Sequence, residues 1–192
     1  MKPSEQQLCN ARDVDSLIAS MARKLSDARH HGVPFYLVGI RTRGVPLAQR
    51  LSRELGRLFG EHVDVGAVDI TLYRDDLGQA DHWPVLRGTE IPFNIDGAEV
   101  VLVDDVLFTG RTVRAALNAI CDLGRPARVR LAVLVDRGHR ELPIQADAAG
   151  LIVSTDRGDH VRVRLQPVDS VEEIVRIVPG GGSFPSDRSP AP

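Results

Sequence analysis

Three apolar runs constrain this chain more than anything else in it: FYLVGI at 35–40, EVVLVD at 99–104 and RVRLAVLVD at 128–136. None keeps a strict apolar/polar alternation over its length, so each asks to be buried on both faces, as the strands of a helix-covered parallel sheet are. Between the runs lie segments of helical period. In ARDVDSLIASMARKLSDARH (11–30), Val14, Leu17, Ile18, Met21 and Leu25 fall on one stripe; PLAQRLSRELGRLF (46–59) repeats the pattern behind Pro46, and RTVRAALNAICDLG (111–124) repeats it again. This succession predicts an α/β fold on a central, mainly parallel sheet, doubly wound. VGAVDITLY (65–73), LIVST (151–155) and VRVRLQPV (161–168) read as further strands.

At 192 residues and 43% hydrophobic content, the chain fills one core, and a second independent domain would be cramped. The division expected is one domain over 1–178 and a disordered tail over 179–192, where GGGSFPSDRSPAP is rich in Gly, Ser and Pro. RDDLGQADHWPVLRG (74–88) has no apolar period and sits between strands, the setting of an active-site lid or a disordered loop.

The formal charge of -2 argues against wholesale coating by nucleic acid or membrane, but it conceals a patch: residues 111–140 carry seven Arg against two Asp. Cys9 and Cys121 are far apart and belong to no Cys/His cluster, which argues against structural zinc and disulfides. With no apolar run of about 20 residues and no signal peptide at MKPSEQQL, the expectation is a cytoplasmic protein without a membrane partner.

The chemistry concentrates in VVLVDDVLFTGRTV, 100–113, where an apolar strand runs into Asp104 and Asp105 and then turns through Thr109, Gly110, Arg111 and Thr112 into a helix. In open parallel sheets ligands sit beyond the carboxyl ends of the strands. The outward backbone N–H groups of the helix start suit a phosphate, and Gly110 lets it approach. Two carboxylates one ribose length away accept from vicinal hydroxyls, so the motif fits a sugar phosphate. Neither GxxxxGK[ST] nor GxGxxG is present.

The same stretch resembles the phosphoribosyl-diphosphate (PRPP) signature of the type I phosphoribosyltransferases: two acids, three residues, then Thr-Gly-x-Thr. VGIRTRGVPLAQRL (38–51), VDITLYRDDL (68–77) and GRPARVRLAVLVDRGHRELPI (124–144) narrow the likeness to the PyrR family, pyrimidine-operon attenuation regulators that are also uracil phosphoribosyltransferases; it spans roughly 12–170. The resemblance implies the type I phosphoribosyltransferase fold, with a small hood and a flexible lid. It implies transfer of phosphoribosyl from PRPP to uracil, giving UMP and pyrophosphate.

By the same resemblance, Thr42, Arg43 and Gly44 form the pyrophosphate loop, Asp104 and Asp105 hold the ribose, and 109–112 hold the 5'-phosphate. Tyr73 and Arg74 sit on the lid, with Arg74 closing over the reaction as a catalytic cation. Phe108 stands where purine-salvage relatives carry Asp, favouring a pyrimidine, and Asp136, Arg137 and Gly138 form part of the hood over the base. Mg²⁺ enters mainly through PRPP, without direct protein ligands.

The resemblance further implies UMP- or UTP-dependent binding of pyr operon leader mRNA, with Arg23, Arg125, Arg128, His139 and Arg140 as contacts, and a homodimer or homotetramer. Ser20, Gln145 and Leu151 depart from the family's basic surface. Two alternatives stand within the family: a uracil phosphoribosyltransferase without an RNA role, and an RNA regulator with little turnover. A third lies outside it. Phosphoacceptor receiver domains also end a strand in an acid pair and would use Asp136 as acceptor, but they give Thr-Gly-Arg-Thr nothing to do.

Overall fold

The computed structural model describes residues 3–71 and 88–180. Its centre is a five-stranded sheet of β2 (Phe35–Ile40), β3 (Val65–Val68), β4 (Glu99–Leu107), β5 (Arg128–Asp136) and β6 (Ala148–Ile152), in the order β3-β2-β4-β5-β6 with every pair parallel. Successive residues of the apolar runs face opposite ways. Leu37, Val101, Val103, Ala132 and Leu134 enter the core under α1 (Ala11–Asp27) and α2 (Gly44–Phe59). Val38, Val100, Leu102, Leu131 and Val133 enter a second core under α3 (Arg111–Leu123). Burial on both faces is why these strands need no polar alternation.

A second sheet joins the ends of the chain. β1 (Ser4–Cys9), β8 (Glu173–Val178) and β7 (His160–Arg164) pair antiparallel in the order β1-β8-β7, forming the small hood beside the main sheet. VRVRLQPV therefore leaves the main sheet: Val163 and Leu165 bury toward the α1/α2 core, while Arg162 is exposed. β6 begins three residues before LIVST, beside the middle of β5. β3 stops at Val68 because Asp69 turns back on itself, its Oδ1 accepting from the Thr71 amide at 2.9 Å. α1 ends at Asp27, short of the His30 expected. Arg130, only 3% exposed, donates there to the Leu25 and Ala28 carbonyls (3.2 and 3.4 Å) and to Glu99 (3.0 Å). That buried ion pair braces the amino-terminal edge of the sheet.

No helix among the described residues is long and apolar enough to cross a membrane.

Candidate active site

The strand order reverses between β2 and β4: α2 carries the chain from β2 outward to β3, and β4 then returns to the other side of β2. This switch point is where an open sheet leaves a crevice. Here the crevice is widened by unequal strand lengths. β2 pairs with β4 only as far as Gly39 with Val103, whereas β5 follows β4 to Leu107 with Asp136. Asp104 and Asp105 thus lie within β4, which runs on past the strand end at Asp104 that the sequence suggested, and the edge of β4 facing β2 is unpaired from Asp104 onward.

Two glycines bring the 41–43 loop to that edge. A Cβ on Gly39 would lie 2.5 Å from the Cα of Val45, and one on Gly44 would lie 2.3 Å from the Val103 carbonyl oxygen. Only hydrogen fits at either position, so α2 can begin directly over the acid pair. The Arg41–Thr42 peptide within this loop is cis.

Asp104 is 6% exposed and its Oδ1 accepts the Asp105 amide at 2.9 Å; the Asp105 Oδ1 in turn accepts the Val106 amide at 3.0 Å. Burial raises the Asp105 carboxyl above its ordinary pKa, against the opposing pull of the Asp104 hydrogen bond and the Arg43 charge. Arg43, the N-cap residue of α2, reaches the other way to the hood, where its Nε and Nη2 donate to Asp169 Oδ2 and Oδ1 at 2.9 and 2.8 Å. These bonds hold Asp169 below the usual carboxylate range and raise Arg43 further. Arg43 and Asp105 line one side of a cleft of about 350 Å³, and His160, Arg162 and neighbouring hood residues line the other.

The helix starts differ in a way that matters for anions. α1, whose start is not at this edge, is closed by a capping box: Asn10 accepts from the Arg12 and Asp13 amides, and Asp13 accepts from the Asn10 amide. α2 and α3 both start at the crevice without a bond from the N-cap side chain and without an acid in the first turn, the one long side-chain contact at α3 being the Arg111 amide to Thr109 Oγ1 at 3.4 Å. At α3 the N-cap is Gly110 in the left-handed region, φ 92°, which carries the chain from Thr109 into the helix. Two uncapped starts give two places for negative charge, with two carboxylates between them.

The turn after β4 is stitched to the turn after β5. The Arg137 amide donates to Leu107 O (3.1 Å), and the Glu141 amide to Thr109 O (3.0 Å). Arg140 donates to Phe108 O (2.8 Å), Gly138 O (3.0 Å), Ile144 O (3.0 Å) and the Asp136 carboxylate. The Arg137 guanidinium lies 4.0 Å from the Phe108 ring centre, and the His139 ring meets Phe108 edge-on at 5.9 Å. Arg137 is buried, its pKa lowered by desolvation, with Nη2 on Asp156 O. An aromatic platform at the crevice mouth is thereby fixed by two arginines.

The phosphoribosyl transferase domain family matches residues 6–167. The bifunctional protein PyrR of Chloroflexus aurantiacus is 52% identical over 173 residues, covering 90% of this chain and 94% of its own. That of Thermus thermophilus is 49% identical over 168 residues, covering 88% and 93%. The chain belongs to the PyrR family of phosphoribosyltransferases. Among solved structures, the hypoxanthine phosphoribosyltransferase of Trypanosoma cruzi in a ternary substrates complex superposes with a TM-score of 0.68 at 20% identity, covering 90% of this chain and 95% of that one. The Staphylococcus aureus hypoxanthine enzyme gives 0.65 at 15%, covering 88% and 90%. At such identity these likenesses carry the fold, and the fold is type I.

For a PyrR family member, the residues expected from sequence divide clearly. Arg43, Gly44, Asp104, Asp105 and the 109–112 turn meet at the switch point, with Phe108, Asp136, Arg137 and Gly138 beside them in the turns after β4 and β5; these last three belong to the main sheet's edge rather than to the hood sheet. Tyr73 and Arg74 lie outside the described residues. Of the five RNA candidates, four lie toward the two ends of β5. Arg128 begins β5 and lies 3.1 Å from His30, Arg125 is exposed just before it, and Arg23 is exposed on α1. His139 and Arg140 follow the other end of β5, about 26 Å away at strand rise, with His139 directed to the Thr155 carbonyl (2.7 Å). Sequence reading missed Asp169, which lies 126 positions from Arg43 in a stretch with no motif.

Proposed function

We propose that this chain transfers the phosphoribosyl group of PRPP to N1 of uracil, giving UMP and pyrophosphate, and that it binds the leader mRNA of a pyrimidine operon under control of UMP or UTP. The observation that carries the enzymatic half is the acid pair on the open edge of β4, set between two uncapped helix starts. PRPP has the matching order of groups: 5'-phosphate on the α3 start with Thr109, Gly110, Arg111 and Thr112, ribose hydroxyls on Asp104 and Asp105, and diphosphate on Thr42, Arg43 and Gly44.

As the bond from C1' to the diphosphate breaks, positive charge develops on the ribose and negative charge on the leaving group. The carboxylates and Arg43 match those signs, so the residues stabilise the separated charge. In the same reading Arg74 adds a further cation for the diphosphate. Mg²⁺ fits as a partner of the diphosphate oxygens, keeping several waters. When bound it neutralises the leaving group. Phe108 has no carboxylate to offer a purine, which favours a pyrimidine.

The RNA half rests on the PyrR relatives and on the exposed Arg23 and Arg125. Phosphate contacts of this kind make affinity salt-dependent, while bases are read in unpaired loops. A homodimer or homotetramer in the cytoplasm belongs to the same reading. The enzymatic test is UMP formation from PRPP, Mg²⁺ and uracil beside hypoxanthine under the same conditions. Turnover with uracil alone supports the reading; turnover with hypoxanthine alone, or with neither base, defeats it.

A further inference from the structure

We propose that Asp169 is a positioning residue for the diphosphate: it holds one side of the Arg43 guanidinium so that the other side is presented to the anion. This rests on the phosphoribosyl transfer reading above. A guanidinium has five N–H donors arranged as two bidentate faces, Nε with Nη2 and Nη1 with Nη2. Asp169 takes the first, at 2.9 and 2.8 Å, and leaves the second for the cleft that Arg43 and Asp105 line. Without that grip, the long Arg43 side chain would be drawn toward the Asp105 carboxylate, whose charge it already feels.

Asp169 is itself fixed. Its Oδ2 accepts the Leu165 amide at 2.8 Å and its own amide donates to Leu165 O at 2.8 Å, so the carboxylate projects from a closed turn between β7 and β8. Simple fastening of hood to helix does not require it. Arg50, seven residues further along α2, is already paired with Glu172 of the same connection. The Arg43–Asp169 pair is thus the tie that points into the cleft, and Arg50–Glu172 is the tie that holds the layers together.

The test is Asp169→Asn, which keeps an oxygen for the Leu165 amide and removes the charge. Initial rates are measured with PRPP and uracil varied separately, and Mg²⁺-diphosphate and PRPP binding are followed by calorimetry. The expected result is a rise of about tenfold in the PRPP KM and in the diphosphate Kd, with the uracil KM unchanged and only the small fall in melting temperature that losing one part-exposed ion pair brings. Arg43→Lys, which has no second face, should show the same loss, and adding Asp169→Asn to it should change little more. If the Asn form folds poorly, Asp169→Glu, which keeps the charge, serves instead and should retain most of the affinity. Unchanged PRPP and diphosphate binding, equal losses for both substrates with a large fall in melting temperature, or losses that multiply in the double variant would each overturn the proposal. A wild-type protein that makes no UMP yet binds diphosphate through Asp169 would overturn the reaction and leave this inference standing.

Discussion

Gly44 lies so close to Val103 that a methyl group on its Cα would sit 2.3 Å from the Val103 carbonyl oxygen. The start of α2 is therefore locked over the last β4 residue that pairs with β2, and the 41–44 loop, proposed above to hold the diphosphate, inherits its position from that contact. Gly44→Ala should cost about 1–3 kcal/mol of stability, as overpacking does, and weaken PRPP binding. Gly158→Ala, where a Cβ meets nothing within 4 Å, should do neither. Urea denaturation and PRPP titration of the two variants check this.

Asp105 should trade stability for activity. Its folded pKa is raised by burial, so the native state binds the proton more tightly than the unfolded chain does. Such a group favours folding fully below its unfolded pKa of about 3.9, and the benefit disappears as pH rises through the folded value. At alkaline pH, above that folded value, the ionised carboxylate is a net cost, and Asp105→Asn should melt higher than wild type, at about 2–4 °C per kcal/mol recovered. The two proteins should converge near pH 3. The same variant should lose about a hundredfold in kcat/KM, the scale of one missing electrostatic stabiliser. Calorimetric melts at both pH values, with steady-state kinetics, test the pair of outcomes.

Asp169 carries the opposite sign. Its pKa is depressed by the Arg43 hydrogen bonds, so its contribution is present above about pH 4, the unfolded value, and is lost as pH falls through the folded one. The stability difference between wild type and Asp169→Asn should be constant at neutral pH and vanish in acid. A difference that grows toward low pH would contradict the pairing. Denaturation midpoints from pH 7 down to 2.5 measure it.

Arg140→Ala should raise the uracil KM several-fold and lower stability by about 2–4 kcal/mol, because its removal strands the Asp136 carboxylate and three carbonyls in a part-buried turn. The PRPP KM should barely move, since no Arg140 bond reaches the 41–44 loop or the acid pair. Separate KM determinations for the two substrates distinguish this loop-bracing role from a purely external one.

Much of the candidate site could be proposed from the sequence because its parts are local. Asp104, Asp105 and Thr109 to Thr112 lie within nine residues, and FYLVGI and RVRLAVLVD matched β2 and β5 end to end because doubly buried strands must be apolar throughout. What escaped was whatever depended on distant partners. β1 is mostly exposed at SEQQLC and has no apolar face to announce it; its pairing with β8 joins Ser4 to Val178. The acid pair reads as a strand end, yet β4 continues because β5 runs beside it to Asp136, and one strand's sequence does not state its neighbour's length. The Arg43–Asp169 pair arises only once the hood folds back over α2.

The most direct measurement is a calorimetric titration of the wild-type protein, in Mg²⁺, with PRPP, ribose 5-phosphate and inorganic diphosphate. Two anion sites bridged by an acid pair predict that PRPP binds at least about a hundredfold more tightly than either fragment, the gain expected of linked sites, and that Asp104→Asn removes much of that gain. PRPP binding no tighter than ribose 5-phosphate would contradict the account.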